Sequence, residues 1–207
     1  APDSSLAPVL LRIDRLTPTI VKVIVHAPAA ARQFEPGQFF RLQDYEAYAT
    51  TVRGSRMAME GLALTGAWVD KDKGLLSLIV LEMGGSSRQC ATLTPGEPVI
   101  VMGPTGTPTE IPEGEAVVLC GGGLGNAVLF SIAKAMRERG NKVLYFAAYR
   151  RAEDIYKVEE IEAATDQVIW SVDGGPLPKT RRPQDRAFEG NVVQAMLAFA
   201  NGDLGEA

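Results

Sequence analysis

Four glycines in five positions, Gly121-Gly-Gly-Leu-Gly125, followed at once by Asn126, are the residues of this chain best placed to do chemistry. Without Cβ atoms the backbone can come close to a bound group. The apolar run Ala116–Cys120 before them reads as a buried strand. The apolar-periodic run after them, closing on Arg137, Arg139 and the stop Gly140, reads as a helix. A helix start offers unpaired N–H groups and about half a positive charge. Strand, glycine turn and helix together therefore suit a pyrophosphate. The spacing departs from the usual G-x-G-x-x-G, so an ordinary tight turn between strand and helix stays open as the alternative at this point.

Other reactive types are sparse. His26 is the single histidine and sits at a strand end, so neither a histidine-based triad nor a zinc site is supported. The two cysteines, Cys90 and Cys120, are too few for a disulfide framework or a thiolate cluster. Glu159, Glu160 and Glu162 read as a solvated helix face, and Phe39, Phe40, Tyr45 and Tyr48 as core and loop anchors. Across 207 residues, 46% hydrophobic and 22% charged, the net charge is −4 with no basic block, which argues against a nucleic-acid partner. No apolar run reaches the ~18 residues of a membrane span. A reduced, cytoplasmic protein is the expectation.

The elements that must position these residues change character near residue 112. Before it, short β-rich runs alternate with turns: 9–13, 19–25, 39–42, 61–65, 75–81 and 98–102, with one short helix over 86–93. Such spacing predicts an antiparallel β-barrel or sandwich for residues 1–112. For residues 113–207 the order becomes strand 116–120, helix 126–139, strand 142–147, helix 152–164, strand 167–172 and helix 191–200, an α/β parallel sheet of nucleotide-binding type.

Pro36-Gly37-Gln38-Phe39, Leu62-Ala-Leu-Thr65, Gly84-Gly-Ser-Ser87, Gly103-Pro-Thr-Gly106, Gly121-Gly-Gly-Leu-Gly125-Asn126 and Val172-Asp-Gly-Gly175 occur in this order. The arrangement resembles the ferredoxin–NADP reductase-like flavoproteins over about residues 8–200. It looks closest to their small electron-transfer subunits, such as those of NADH-dependent ferredoxin–NADP oxidoreductase and of dihydroorotate dehydrogenase. The resemblance implies a flavin-binding barrel followed by an NAD(P)-binding domain. It implies FAD along Leu62, Ala63, Leu64 and Thr65, with the Thr65 hydroxyl near the flavin N5 as the catalytic contact. The FAD pyrophosphate would lie at Gly84, Gly85, Ser86 and Ser87, with Arg88 nearby, and Thr105 and Gly106 where flavin and nicotinamide meet.

The same resemblance places the pyrophosphate of NAD or NADP at Gly121, Gly122, Gly123, Leu124, Gly125 and Asn126. Tyr149 and Arg150 would read the adenosine ribose, and Asp173 and Gly174 would touch ribose or nicotinamide. Two departures stand out. Where the family carries an arginine against the flavin phosphate, this sequence has Glu60-Gly61, and Arg53, Arg56 and Arg88 lie out of register. The C-terminal cysteine set that holds an iron–sulfur cluster in related subunits has no counterpart. The parallel domain reads as incomplete at its C-terminus, as in a fragment of a longer chain. The implied function is a flavin-dependent oxidoreductase module passing electrons between NAD(P)H, FAD and an iron–sulfur or flavin centre on a partner subunit or fused domain. The competing reading is a non-catalytic docking module of a redox complex that has lost its cofactors.

Overall fold

The structure, a computed structural model, describes residues 7–204. It divides into two compact units between Thr109 and Glu110.

The first unit contains β1 (Val9–Arg15), β2 (Ile20–His26), α1 (Pro28–Gln33), β3 (Phe39–Asp44), the two-residue strands β4 (Thr51–Val52) and β5 (Ser55–Arg56), β6 (Leu62–Asp70), β7 (Leu75–Leu81), α2 (Gly85–Cys90) and β8 (Val99–Thr105). Six of these strands form one antiparallel sheet in the order β1-β2-β7-β6-β3-β8. The sheet curls until its edges meet: Val9 bridges Pro98, Leu10 N–H donates to Glu97 O at 3.0 Å, and Val99 N–H donates to Pro8 O at 3.0 Å. Alternate residues point inward, as a period of two requires. Leu10, Val21, Val23, Phe40, Leu42, Leu64, Leu76 and Leu78 thus fill one core. The antiparallel barrel expected from the strand spacing is present.

Helix α1, which the sequence reading passed over, starts with Pro28 at its first turn, where the missing N–H costs nothing. It brings Ala31 and Phe34 into the core, and the Phe34 ring stacks on Phe40 with centroids 5.6 Å apart. Gly66 makes room for that ring: a Cβ there would lie 2.5 Å from Phe34 Cε2.

The second unit contains β9 (Ala116–Gly122), α3 (Asn126–Glu138), β10 (Lys142–Tyr149), α4 (Val158–Ala163), β11 (Gln167–Val172), β12 (Arg186–Glu189) and α5 (Val192–Ala200). Its four strands are parallel, in the order β12-β11-β10-β9. Phe146 and Ile169 face α5 and pack with Ala195, Val192 and Phe199. Residues 152–164 were expected to form one helix. They form instead a single 3-10 turn at 152–154 and then α4, because Tyr156 turns into the core and Lys157 adopts a left-handed φ of 60° before the helix begins. The fourth strand, β12, was also unforeseen. The loop leading to it is fixed by a half-buried arginine on a buried aspartate: Arg182 Nε and Nη2 donate to Asp185 at 2.9 and 2.8 Å, while Arg182 Nη1 donates to Glu162 O and Thr165 O.

Candidate functional site

The first candidate surface is the outer face of β3, β6 and β8. Thr65 and Thr105 each pair with Phe39, on either side of it, which sets the three in a row across the sheet. Leu62 and Leu64 point into the core, whereas Ala63 and Thr65 point outward. The ladder between β6 and β7 begins only at Gly66, so Leu62–Thr65 has a strand neighbour on the β3 side alone. Backbone groups along that splayed edge are available to a planar, polar-edged ligand. Among the described residues the Thr65 hydroxyl has no hydrogen-bond partner. Gly106 closes the row: its φ of 94° suits glycine, its carbonyl accepts from Gln38 Nε2 at 2.8 Å, and the Phe39 ring lies beside it.

The Gly84–Ser87 turn lies against the start of this strand, since Glu60 N–H donates to Ser86 Oγ at 3.1 Å. Ser87 holds the turn from within. Its Oγ accepts from Met83 N–H and Gly84 N–H at 3.0 and 2.9 Å and donates to Gly84 O. The hydroxyl of Ser87 is thereby engaged, and the groups left for a ligand are the main-chain N–H donors of residues 85–87 and the Ser86 hydroxyl proton. A Cβ added at Gly84 or Gly85 would meet nothing within 4 Å. Neither glycine is required by packing against the protein, and both are exposed.

In the second unit the glycine turn forms at the carboxyl end of β9, as a single 3-10 turn over Gly123–Gly125 leading into α3. Its glycines serve three different ends. Gly121 is required by packing, because a Cβ would sit 2.4 Å from Asn126 Oδ1 and 2.8 Å from Leu129 Cδ1. Gly123 takes a positive φ of 52°. Gly122 and Gly125, like Gly84, would carry a Cβ into open space. Leu124 is half-buried in the same turn.

Asn126, expected to bind the pyrophosphate, is fully buried. Its Nδ2 donates to Gly123 O and Ala148 O at 3.0 and 3.3 Å, and its Oδ1 accepts from Tyr145 Oη at 2.7 Å. Asn126 shapes the turn from beneath and presents no side chain to a ligand. Tyr156 Oη also donates to Gly123 O, at 3.2 Å. Burial raises the Tyr145 and Tyr156 phenols, which remain protonated donors.

Beside the turn, the ends of β10 and β11 border a cleft of about 690 Å³ lined by Arg150, Arg151, Glu153, Asp173, Gly174 and Gly175. Three residues named from the sequence, Arg150, Asp173 and Gly174, do come together there. Arg151 is paired with Glu153 at 3.3 Å, which leaves Arg150 as an exposed guanidinium with no partner among the described residues. Tyr149 does not join them. Its ring is buried edge-on against Tyr156, its hydroxyl is buried without a partner, and burial holds the phenol well above its ordinary pKa. The cleft sits at the carboxyl ends of a parallel sheet, where such folds take their ligands.

One residue that the sequence reading missed belongs to the first surface. Arg41, exposed on β3 opposite Ala63, lays its side chain across Gly61. Cys90 is buried and its thiol is pushed up to about 12 by burial, then by Asp44 and Glu82, which makes it inert. Among the described residues no group of three potential metal ligands gathers, and no helix is long and apolar enough to cross a membrane.

No family model matches the sequence. The chain is 41% identical over 138 residues to an uncharacterized protein of Rickettsia prowazekii, a match covering 67% of this chain and 18% of that protein. It is 30% identical over 151 residues to the dihydroorotate dehydrogenase B (NAD(+)) electron transfer subunit homolog of Thermotoga maritima, covering 72% of this chain and 50% of that one. The chain thus spans about half the length of that relative or less. Among solved structures, the NADH-dependent reduced ferredoxin–NADP oxidoreductase, studied for flavin-based electron bifurcation, superposes with a TM-score of 0.76. The identity is 24%, and the match covers 96% of this chain and 65% of that one.

Proposed function

We propose that this chain, a homologue of electron-transfer reductase subunits with the ferredoxin–NADP reductase-like fold, is a flavin-dependent module that moves electrons between NAD(P)H and a redox centre on a partner subunit or fused domain. The first unit holds FAD and the second holds the nicotinamide dinucleotide. The observation that carries this reading is the splay of β6 from β7, which leaves the backbone of Leu62–Thr65 open on one side beside an unpartnered threonine hydroxyl.

A bound flavin supplies the conversion between two-electron and one-electron chemistry. The protein contributes orientation and hydrogen bonds. Backbone groups of Ala63 and Leu64 hold the ring edge, and the Thr65 hydroxyl holds a proton at N5. The row through Phe39 and Thr105 keeps water from one side of the ring. Main-chain N–H groups of Gly85–Ser87 take the pyrophosphate. In the second unit, Gly122–Gly125 receive the nicotinamide dinucleotide pyrophosphate, and the cleft with Arg150, Asp173 and Gly174 takes a ribose. The open space at Gly84, Gly85, Gly122 and Gly125 supports both placements.

The test is an absorbance spectrum of the purified chain after incubation with FAD and gel filtration. The two visible bands of an oxidised flavin, bleached by NADH or NADPH, are expected. A colourless protein would overturn the reading in favour of a docking module without cofactors.

A further inference from the structure

We propose that Arg41 binds the phosphate of the flavin nucleotide in the first unit, and that the missing side chain at Gly61 is what lets it lie there. This inference rests on the flavin reading above. Arg41 is exposed, and among the described residues its guanidinium makes no hydrogen bond and no ion pair. A Cβ at Gly61 would lie 2.8 Å from Arg41 Cγ, 2.6 Å from Cδ and 3.4 Å from Nε, so the arm rests directly in the space glycine leaves empty. Gly61 is not among the residues with a positive φ. Its backbone does not require glycine, and the room for the Arg41 stem is the remaining reason for it.

Direction and distance fit the assignment. Arg41 pairs with Ala63, and two residues along β3 Phe39 pairs with Thr65, a step of about 7 Å. From the ring contact at Thr65, the Arg41 arm runs the other way, over Gly61. The adjoining residue, Glu60, gives its N–H to Ser86 in the Gly84–Ser87 turn. A free guanidinium therefore stands between the surface assigned to the ring and the turn assigned to the pyrophosphate, where the ribityl arm and its phosphate must pass. Guanidinium suits phosphate by its fork of donors and its permanent charge.

The experiment measures the dissociation constants of riboflavin, FMN and FAD by fluorescence titration of the full chain, the Arg41→Gln variant and the Gly61→Ala variant. Riboflavin has the ring and ribityl arm without phosphate. Arg41→Gln should weaken FMN and FAD about tenfold to a hundredfold and leave riboflavin within about twofold. Gly61→Ala, which displaces the Arg41 arm, should shift FMN and FAD in the same direction, and should add nothing in the Arg41→Gln background. Unchanged FMN and FAD binding in Arg41→Gln would overturn the assignment, and so would an equal loss for riboflavin. If the unaltered chain binds none of the three, the flavin reading falls and Arg41 falls with it. If it binds all three and Arg41→Gln does too, only Arg41 is refuted.

Discussion

The two glycine turns solve the same problem in different ways. On the function proposed above, each keeps a run of backbone N–H groups free for a pyrophosphate. At Gly84–Ser87 the organiser is the Ser87 hydroxyl, bonded only to residues three and four positions away. At Gly121–Asn126 the organiser is the Asn126 carboxamide, which ties the turn to Ala148 and Tyr145 on β10, 22 and 19 residues distant. The first turn is a local motif set on the barrel, whereas the second is built into the sheet. Its shape accordingly depends on tertiary packing in a way the first does not.

The largest effect that separates them should come from Asn126→Ala. It leaves the Tyr145 hydroxyl buried without its acceptor and takes a donor from Ala148 O and from Gly123 O, which keeps Tyr156 Oη. It should lower unfolding stability by about 2–3 kcal/mol in chemical denaturation. Nicotinamide dinucleotide affinity should fall in parallel. If stability holds and only affinity falls, Asn126 is a ligand contact after all.

A pair of neighbouring alanines gives the next largest contrast. Gly121→Ala drives a Cβ into Asn126 and Leu129 and should cost about 1–3 kcal/mol. Gly122→Ala meets no protein atom, so thermal melting should barely move while NAD(P)H binding, read by fluorescence, weakens. Equal melting temperatures for the two variants would contradict the division of labour among these glycines.

Ser87→Ala should be milder, about 1 kcal/mol, as for the loss of a helix cap. Its effect should stay confined to the first turn, seen as faster hydrogen exchange at residues 83–87. Exchange that speeds throughout the barrel would show the turn to be less local than its bonds indicate.

The smallest effect concerns pH. Burial opposes ionisation of Asp166, but the Val143 N–H and the Arg137 guanidinium outweigh it and hold the carboxyl below its ordinary range. A depressed folded-state pKa gives stability that is present above the ordinary value of ~3.9 and is lost as pH falls through the lower folded value. The pair is half-exposed, so Asp166→Asn should cost only about 0.5 kcal/mol at neutral pH. That difference should shrink as pH falls below the ordinary carboxylate range in acid titrations of the two proteins.

Much of this organisation is legible in the amino-acid sequence. The β-branched runs of the barrel, separated by turn residues, show as strands, as do Ala116–Cys120 and the glycine turn and helix after it. But Ala116–Cys120, expected to be buried, leaves Val118 and Cys120 exposed, because the apolar run does not say which faces of the strand are covered. What stayed hidden depends on contacts distant in sequence. β12 is a short, half-buried strand whose extended form is set by its parallel partner β11 and by the Arg182–Asp185 pair before it. The break at Lys157 follows from where Tyr156 must pack, against Phe130 and Tyr149. Asn126 looks like a ligand by its position after the glycines, and only the buried Tyr145 hydroxyl shows that it faces inward. Arg41 could not be matched to Gly61 by spacing, because the ladder of β3 on β6 brings them together.

The closure of the barrel also bears on how the first unit is made. The contacts that seal it join Pro8, Val9 and Leu10 to residues 97–99, near opposite ends of that unit's sequence. During synthesis β1 can pair with β2 early, but its other edge has no partner until β8 has been translated. Contacts so far apart carry a large loop-closure entropy and form late. Until then the nascent unit carries an unpaired edge along Val9 and Leu10, the segment most exposed to wrong pairing. The barrel is thus vulnerable for almost the whole time it takes to write its own sequence.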